Sequence, residues 1–419
     1  MLRFSRLFFL AVAASAFMLP PAAASGAINT YRWEDVEKIA IENNASILRA
    51  AENLYQAEQR YRSATAAFLP EIVLSASTGV DSSGRDTASL GVTAGYEIAL
   101  FRGGRKSSEV RRNRYRLEAE RHRYRSETLR ALYNVRIAFG EVIRAAENLE
   151  SAQETRGRIK RNYEIVMMRY EAGREDRGAL LRSEADVARE DFNVNSAERR
   201  LSRALSDLYS EMGIEEMGEI EFEDSLQAAS VPEIADFSVF AASHPDYQAE
   251  IYSFYLSEEA VSQAGSGLLP ALSVSAGAGR TSAESIFDET RWQASVNLRF
   301  PFLSSGRDLH ALRIARSEER IARRRLEDRK KTLQRDIENA YLDYIDARDN
   351  LMIVEMYSDA AAERGRIAME KYLNGLISYH EWDSIERDHI NTRNSLVAAR
   401  SRLYSAAARW EMVSGGKTR

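Results

Sequence analysis

Cysteine is absent from the 419-residue sequence. That excludes a disulfide scaffold, a thiolate zinc site, an iron–sulfur cluster and a cysteine nucleophile. Proline is scarce, with seven residues at 20, 21, 70, 232, 245, 270 and 301. None lies between 71 and 231 or between 302 and 419. A dominant charge is also missing: 58 Lys and Arg stand against 63 Asp and Glu, a formal net charge of −5. Such a balance gives no global case for nucleic-acid binding. Long apolar runs are confined to the N-terminus. A charged fraction of 29% and a mean hydropathy of −0.42 exclude a polytopic helical membrane protein. The 44% hydrophobic content excludes a mainly disordered chain.

The N-terminus reads as a secretory signal peptide over residues 1–24. Arg3 and Arg6 make a short basic start, Leu7 to Leu19 is uncharged and apolar, and Ala22–Ala24 offers a small-residue cleavage site. The apolar run is too short for a stable membrane anchor. With no cysteine behind the site, a lipid anchor on an N-terminal cysteine is not expected.

Proline in a helix interior costs about 3 kcal/mol, so the two proline-free stretches are free to be helical. Both are rich in Ala, Leu, Glu and Arg. Val135, Ala138, Val142, Ala145, Leu149, Ala152, Ile159, Tyr163, Val166 and Tyr170 follow steps of three and four, interrupted at Arg156. Ile337, Ala340, Tyr344, Ala347, Leu351, Val354, Ala361, Ala368 and Tyr372 do the same, with Ser358 and Gly365 as small interruptions. This alternation is a coiled-coil seam. The run from Arg105 to Glu171 has no strong breaker and predicts a helix of roughly 100 Å.

The two stretches are one unit repeated. An offset of 202 carries Val135 to Ile337, Leu149 to Leu351, Tyr170 to Tyr372 and Gly173 to Gly375; an offset of 200 carries Leu69-Pro70 to Leu269-Pro270. So long a period is a duplication rather than a short solenoid repeat. The expected organisation is a signal peptide (1–24), a first repeat (25–230) and a second repeat (231–419).

After each Leu-Pro the pattern switches to period two. Four strands are predicted, at about 71–80, 88–101, 271–280 and 291–303. One face carries Leu74, Leu90, Val92, Ile98, Val274, Trp292, Val296 and Leu298 and no charge; the other carries Glu97, Arg291 and Arg299. Segments of this length and alternation suit a transmembrane β-barrel, apolar face to lipid and polar face to lumen. Two soluble hairpins packed on a helix layer would alternate equally well. A secretion signal beside helices of roughly 100 Å favours the membrane reading. Four strands cannot close, because the smallest outer-membrane barrels have about eight, and open edges are not tolerated in lipid. The barrel must then be shared between chains, with eight strands in a dimer or twelve in a trimer.

Several motifs occur in doubled order. Trp33-Glu34-Asp35-Val36 runs through to Ala40-Ile41-Glu42-Asn43-Asn44. Leu69-Pro70 and Leu269-Pro270 precede the strands. Leu100-Phe101-Arg102-Gly103-Gly104 and Pro301-Phe302-Leu303-Ser304-Ser305-Gly306 follow them. Arg169-Tyr170-Glu171-Ala172-Gly173 and Lys371-Tyr372-Leu373-Asn374-Gly375 mark the hairpin breaks. In this the chain resembles the TolC family of outer-membrane efflux and secretion channels over essentially its whole mature length.

The resemblance implies a mainly α fold: long coiled-coil-like helices forming a periplasmic α-barrel, and four strands per chain contributed to a shared twelve-stranded barrel. It implies a homotrimer in the bacterial outer membrane, docking through its hairpin tips (Gly173, Arg174, Gly375, Leu376) to a periplasmic adaptor and an inner-membrane transporter. Conduction would be passive, for efflux or type I secretion. It also implies a gate at the periplasmic tip. Tyr372 and Gly375 match the family pattern, and Tyr170 is the repeat counterpart of Tyr372. Glu381 stands where a constricting aspartate is expected, and Ser384 where some members have a second. Ile377 replaces an arginine that ties the gate shut, and Ala179 occupies the place of its acidic partner. Three Glu381 carboxylates near a pore axis would favour cations; the alternative is one more solvated helix charge.

Other features point elsewhere only superficially. The run Arg111, Arg112, Arg114, Arg116, Arg121, Arg123 and Arg125, like the cluster Arg323–Lys331, sits among glutamates and aspartates. A solvated helix face below the membrane, with contact to anionic headgroups as a further option, is the expected role. Gly103–Ser107 lacks phosphate-loop spacing, and the five histidines show no paired ligand spacing. His380 lies beside Glu381, where it would be either a pH sensor or simply exposed. No cofactor, metal or catalytic constellation is expected. The rival reading is a periplasmic coiled-coil adaptor without a pore, for which one hairpin flanked by compact β domains would be expected instead of two equivalent halves.

Overall fold

A computed structural model describes residues 29–69, 71–80, 86–101, 104–215, 220–222, 236–282, 289–300 and 306–416. The expected signal peptide lies outside the described residues. The first repeat contains β1 (Asn29–Tyr31), α1 (Trp33–Asn43), α2 (Ala45–Ala66), β2 (Glu71–Val80), β3 (Asp86–Phe101), α3 (Arg105–Glu171), α4 (Arg177–Met212) and β4 (Ile220–Phe222). The second contains α5 (Ser238–Ser243), α6 (Pro245–Ser266), β5 (Ala271–Ser282), β6 (Glu289–Arg299), α7 (Arg307–Leu373) and α8 (Tyr379–Val413). The parallel pair β1–β4 was not foreseen from sequence.

α3 and α7 are each 67 residues long, about 100 Å at 1.5 Å per residue. Their equivalence extends to the core: Val135 and Ile337, 202 positions apart, are both wholly buried. In α7 the seam residues Ile337, Ala340, Tyr344, Ala347, Ala361, Ala368 and Tyr372 are all buried. In α3 burial passes from Val142 and Ala145 to Ser151 and Thr155, because α3 packs on α4 along one side and on α8 along another. Where α3 meets α8, the two repeats are joined by ion pairs as well as by packing: Arg136–Glu411, Glu154–Arg393 and Arg158–Glu386 cross that seam.

The repeat also explains the elbows. Asn44 ends α1 and caps α2, accepting from the backbone N–H of Ser46 and Ile47 at 2.8 and 3.2 Å. Two hundred residues on, His244 ends α5 and caps α6, its Nδ1 accepting from the Asp246 N–H at 3.1 Å. A side-chain acceptor there satisfies donors that a helix start leaves unpaired. The helices therefore lie in two rows. In the half nearer the strands the order is α2, α3, α6, α7; in the other half it is α4, α3, α8, α7. α2 and α4 form one lateral edge of the chain, and α7 forms the other.

Candidate functional site

The strands form one antiparallel sheet in the order β2-β3-β5-β6. The register pairs Leu74 with Val92, Ile98 with Val274, Val274 with Val296, and Ala278 with Trp292. Directly paired residues share a face, and the side-chain period is two. All eight residues of the apolar set, including Leu90 and Leu298, therefore lie on one face. Glu97 pairs with Ser275, which pairs with Ser295, and Arg291 and Arg299 share the parity of Ser295. These charges lie on the opposite face. Trp292, Val296 and Leu298 are 80, 69 and 71% exposed, and none of the described residues covers them. β3 begins two residues before its predicted start and β5 ends two residues beyond its predicted end, β6 begins at Glu289, and residues 301–303 of its predicted span lie outside the described residues. By register, Asp86 in the β3 extension and Arg280 at the predicted end of β5 share the parity of the apolar set, at the end far from the helices. Among the described residues, β2 and β6 end the sheet with unpaired outer edges.

At the other end, each helical hairpin turns through a glycine with positive φ: Gly173 at 68° and Gly375 at 73°. This conformation is open to glycine and strained for residues with a Cβ. The turns are alike: Gly173 and Gly375 donate to the carbonyls of Tyr170 and Tyr372, while Arg174 and Leu376 donate to those of Arg169 and Lys371. Arg174 and Leu376 are exposed at the tips, and Tyr170 is 38% exposed.

Tyr372 is wholly buried within the chain. Its ring stacks on Trp382, with centroids 4.4 Å apart and planes 12° apart. Its hydroxyl donates to Glu175 Oε2 at 2.9 Å. Arg169 lies over the opposite side of the site, 4.7 Å from the Tyr372 ring centroid, donates to the Tyr372 carbonyl at 3.2 Å and approaches Glu175 to 3.5 Å. Burial and the adjacent Glu175 carboxylate raise the Tyr372 pKa, so the phenol remains a donor. Burial, reinforced by Asp383, pushes Tyr379 up to about 12. Ala179 and Ile377 pack against this cluster, with Ala179 buried and Ile377 partly so. Glu381 and Ser384 are exposed one turn apart on α8. The Glu381 N–H is capped by Ser378 Oγ at 3.2 Å, and its carboxylate sits in the first turn, where the helix dipole favours negative charge.

Sequence reasoning missed Glu175 as the acid of this site and Trp382 as its platform. Ala179 supplies only packing; the carboxylate comes from four residues earlier. The repeat held the signal, since an offset of 202 sets Glu175 against Ile377. The two hairpins thus exchange a phenol and a carboxylate across their tips, a polar latch beside an aromatic stack.

Exposed apolar side chains concentrate on the edge helices. α4 presents Leu181 and Phe192 (63% exposed), and α7 presents Ile353, Met356 and Tyr357 (54, 70 and 68%). Among the described residues, no helix is long and apolar enough to cross a membrane, and no cluster of His, Asp and Glu could hold a metal ion.

The fold has close structural relatives. The open-state MtrE outer membrane channel of Neisseria gonorrhoeae superposes with a TM-score of 0.82 at 19% identity, covering 92% of this chain and 89% of that one. The CmeC outer membrane channel of Campylobacter jejuni gives 0.78 at 18%, with 92 and 85% covered. The outer membrane protein VceC of Vibrio cholerae gives 0.78 at 17%, with 92 and 97% covered. No curated protein sequence matches the chain. A sequence profile of the outer membrane efflux protein family matches residues 37–213 and 238–416, one match in each repeat. The chain belongs to the outer membrane efflux protein family.

Proposed function

We propose that three copies of this chain form a passive exit duct in the bacterial outer membrane, its helical part in the periplasm. It serves efflux of small molecules or type I secretion. The observation that carries this reading is the state of the chain's two lateral edges. Among the described residues, β2 and β6 end the sheet unpaired, and α4 and α7 expose Phe192, Met356 and Tyr357. An unpaired strand edge is unstable in lipid, and an apolar helix edge is unstable in water. Head-to-tail association pairs β6 of one copy with β2 of the next and α7 with the neighbour's α2 and α4, covering both at once. Closure after three copies gives twelve strands, an even number above the minimum of about eight. The face carrying Trp292, Val296 and Leu298 then meets lipid. The face carrying Glu97, Arg291 and Arg299 lines the lumen.

The tips are the gate and the docking end. The Tyr372–Glu175 latch holds the two hairpins of one copy together, while Glu381 and Ser384 face away from that packed cluster toward the pore axis. Arg174 and Leu376, exposed beside the tip glycines, meet a periplasmic adaptor, and an inner-membrane transporter supplies the energy. Electron microscopy of the detergent-extracted protein tests the assembly. A threefold particle with a helical barrel on the order of 100 Å long is the expected result. A monomer, or a rod without a threefold axis, refutes it.

A further inference from the structure

Between α2 and α3, near the strand end of the helices, lies a cleft of about 410 Å³ lined by Arg60, Ser63, Ala64, Ala67, Glu109, Arg112, Asn113 and Arg116. Three guanidinium groups line it, against one carboxylate. Among the described residues, Arg60 and Arg116 have no ion-pair partner. Arg112 donates through Nη1 to Gln263 Oε1, while its buried Nε has no hydrogen-bond partner. Of the acids nearby, Glu120 is engaged by Arg123 at 2.6 Å, and Glu109 is exposed. Burial, together with the like charges of Arg112 and Arg60, lowers the Arg116 pKa. Guanidiniums grouped this way repel one another unless an anion sits between them.

The duplication supplies an internal control. The equivalent positions on α6 and α7 carry Ala260 for Arg60, Ile314 for Arg112 and Glu318 for Arg116. The helix lengths are identical in the two halves, 22 residues for α2 and α6 and 67 for α3 and α7. The helical frame therefore does not need the arginines.

We infer that the α2–α3 cleft is a binding site for a phosphate group. Guanidinium forks match the oxygens of a tetrahedral oxyanion in paired hydrogen bonds, and the Ser63 hydroxyl and Asn113 amide line the same cleft. Arg112 and Arg116 lie about 10 and 17 Å along α3 from its start, directly after β3. That position places the cleft within reach of lipid headgroups if the strands span the membrane, and this clause alone rests on the proposed function. A phosphate in the cleft would come either from a headgroup or from a soluble phosphate compound.

The test uses the full protein in nonionic detergent micelles, titrated with inorganic phosphate and followed by phosphorus NMR. Saturable binding is expected, weakened about tenfold by Arg60→Gln or Arg116→Gln alone and abolished by Arg60→Gln, Arg112→Gln and Arg116→Gln together. Removing three charges elsewhere on α3, by Arg114→Gln, Arg121→Gln and Arg125→Gln, should leave binding unchanged. Non-saturable binding, or equal loss in both triple variants, overturns the site. Because neither single variant breaks an ion pair, its melting temperature should stay close to the wild-type value, separating lost binding from lost fold. The source is read in nanodiscs of phosphatidylcholine with and without phosphatidic acid. Weaker phosphate binding with phosphatidic acid identifies a headgroup, and unchanged binding identifies a soluble phosphate. A protein that binds phosphate in micelles but never forms threefold particles would refute the channel and leave the site standing.

Discussion

Replacing Tyr372 by Phe removes one oxygen from the latch and leaves the stack on Trp382 intact. The lost bond runs from a phenol to a half-encircled carboxylate: the Glu175 side chain is 13% exposed and the bond is 2.9 Å long. A hydrogen bond to a charged group contributes about 1.5–3 kcal/mol. That is roughly a ten- to hundredfold shift per chain in the equilibrium between joined and parted hairpins. Glu175→Gln keeps an acceptor but loses the charge, including its attraction to Arg169, and should shift the same equilibrium by about half as much in free energy. The assay is single-channel conductance in planar bilayers. Tyr372→Phe should raise the time spent in a high-conductance state, with Glu175→Gln intermediate. Trp382→Ala should cost about 3–5 kcal/mol by emptying the core of the tip and so disorder it instead of opening it cleanly. If Tyr372→Phe lowers the melting temperature but conducts like the wild type, the bond holds the tip together without gating it, and the latch reading fails.

Three further outcomes follow from other parts of the fold. Burial holds the pKa of His244 below the ordinary histidine value; Asp246 opposes this, while Arg329 and Arg130 add to it. The unfolded chain then binds the proton better, so stability present above about pH 6.5 is lost as pH falls toward the lower folded value. His122 and His389, also lowered mainly by burial, act in the same direction. Melting temperature should therefore fall on acidification, and His244→Asn, which keeps a capping acceptor for α6, should make the decline shallower; an unchanged slope would refute the assignment. A Cβ at Gly140 would lie 2.7 Å from the Tyr404 ring, so Gly140→Ala should cost about 1–3 kcal/mol by overpacking the α3–α8 contact, read as a lower urea midpoint. Val296→Arg on the apolar sheet face should cost about 2–4 kcal/mol near the membrane midplane and reduce the assembled outer-membrane fraction. Asn297→Arg, on the opposite face, should assemble normally, and equal behaviour of the two would refute the facing of the sheet.

Much of this architecture was legible because its signals are local and periodic. The two missing-proline stretches, the three–four spacing and the tip glycines define α3 and α7 and their return helices, since a helix seam is written in consecutive turns. The alternation after each Leu-Pro defines the strands, because side chains alternate across a pleated strand whatever it packs against. The duplication was legible as well, and it accounts for the matching elbows at Asn44 and His244. The tip was legible only in part. The sequence singles out Tyr372, but it does not mark Glu175 as the carboxylate that meets it; the acidic position that the family resemblance implies, as partner of the arginine replaced by Ile377, is held by Ala179. Glu175 lies on the loop between two helices, where no periodicity marks which side chain turns inward, and it meets Tyr372 from 197 residues away.

A duplicated pair of very long helical hairpins with two amphipathic strand pairs, and the inability of four strands to close alone, can be read from the order of residues. How the repeats join emerges in three dimensions: β3 beside β5, α3 against α8 through Arg158 and Glu386, and α2 and α4 opposite α7 as the open edges. The fold likewise brings Arg60, Arg112 and Arg116, scattered over two helices, to the lining of one cleft. The division has a physical cause. Periodicity records which face of an element is buried, whereas the identity of the covering partner depends on contacts between residues far apart in the chain, and single-sequence patterns carry no record of these.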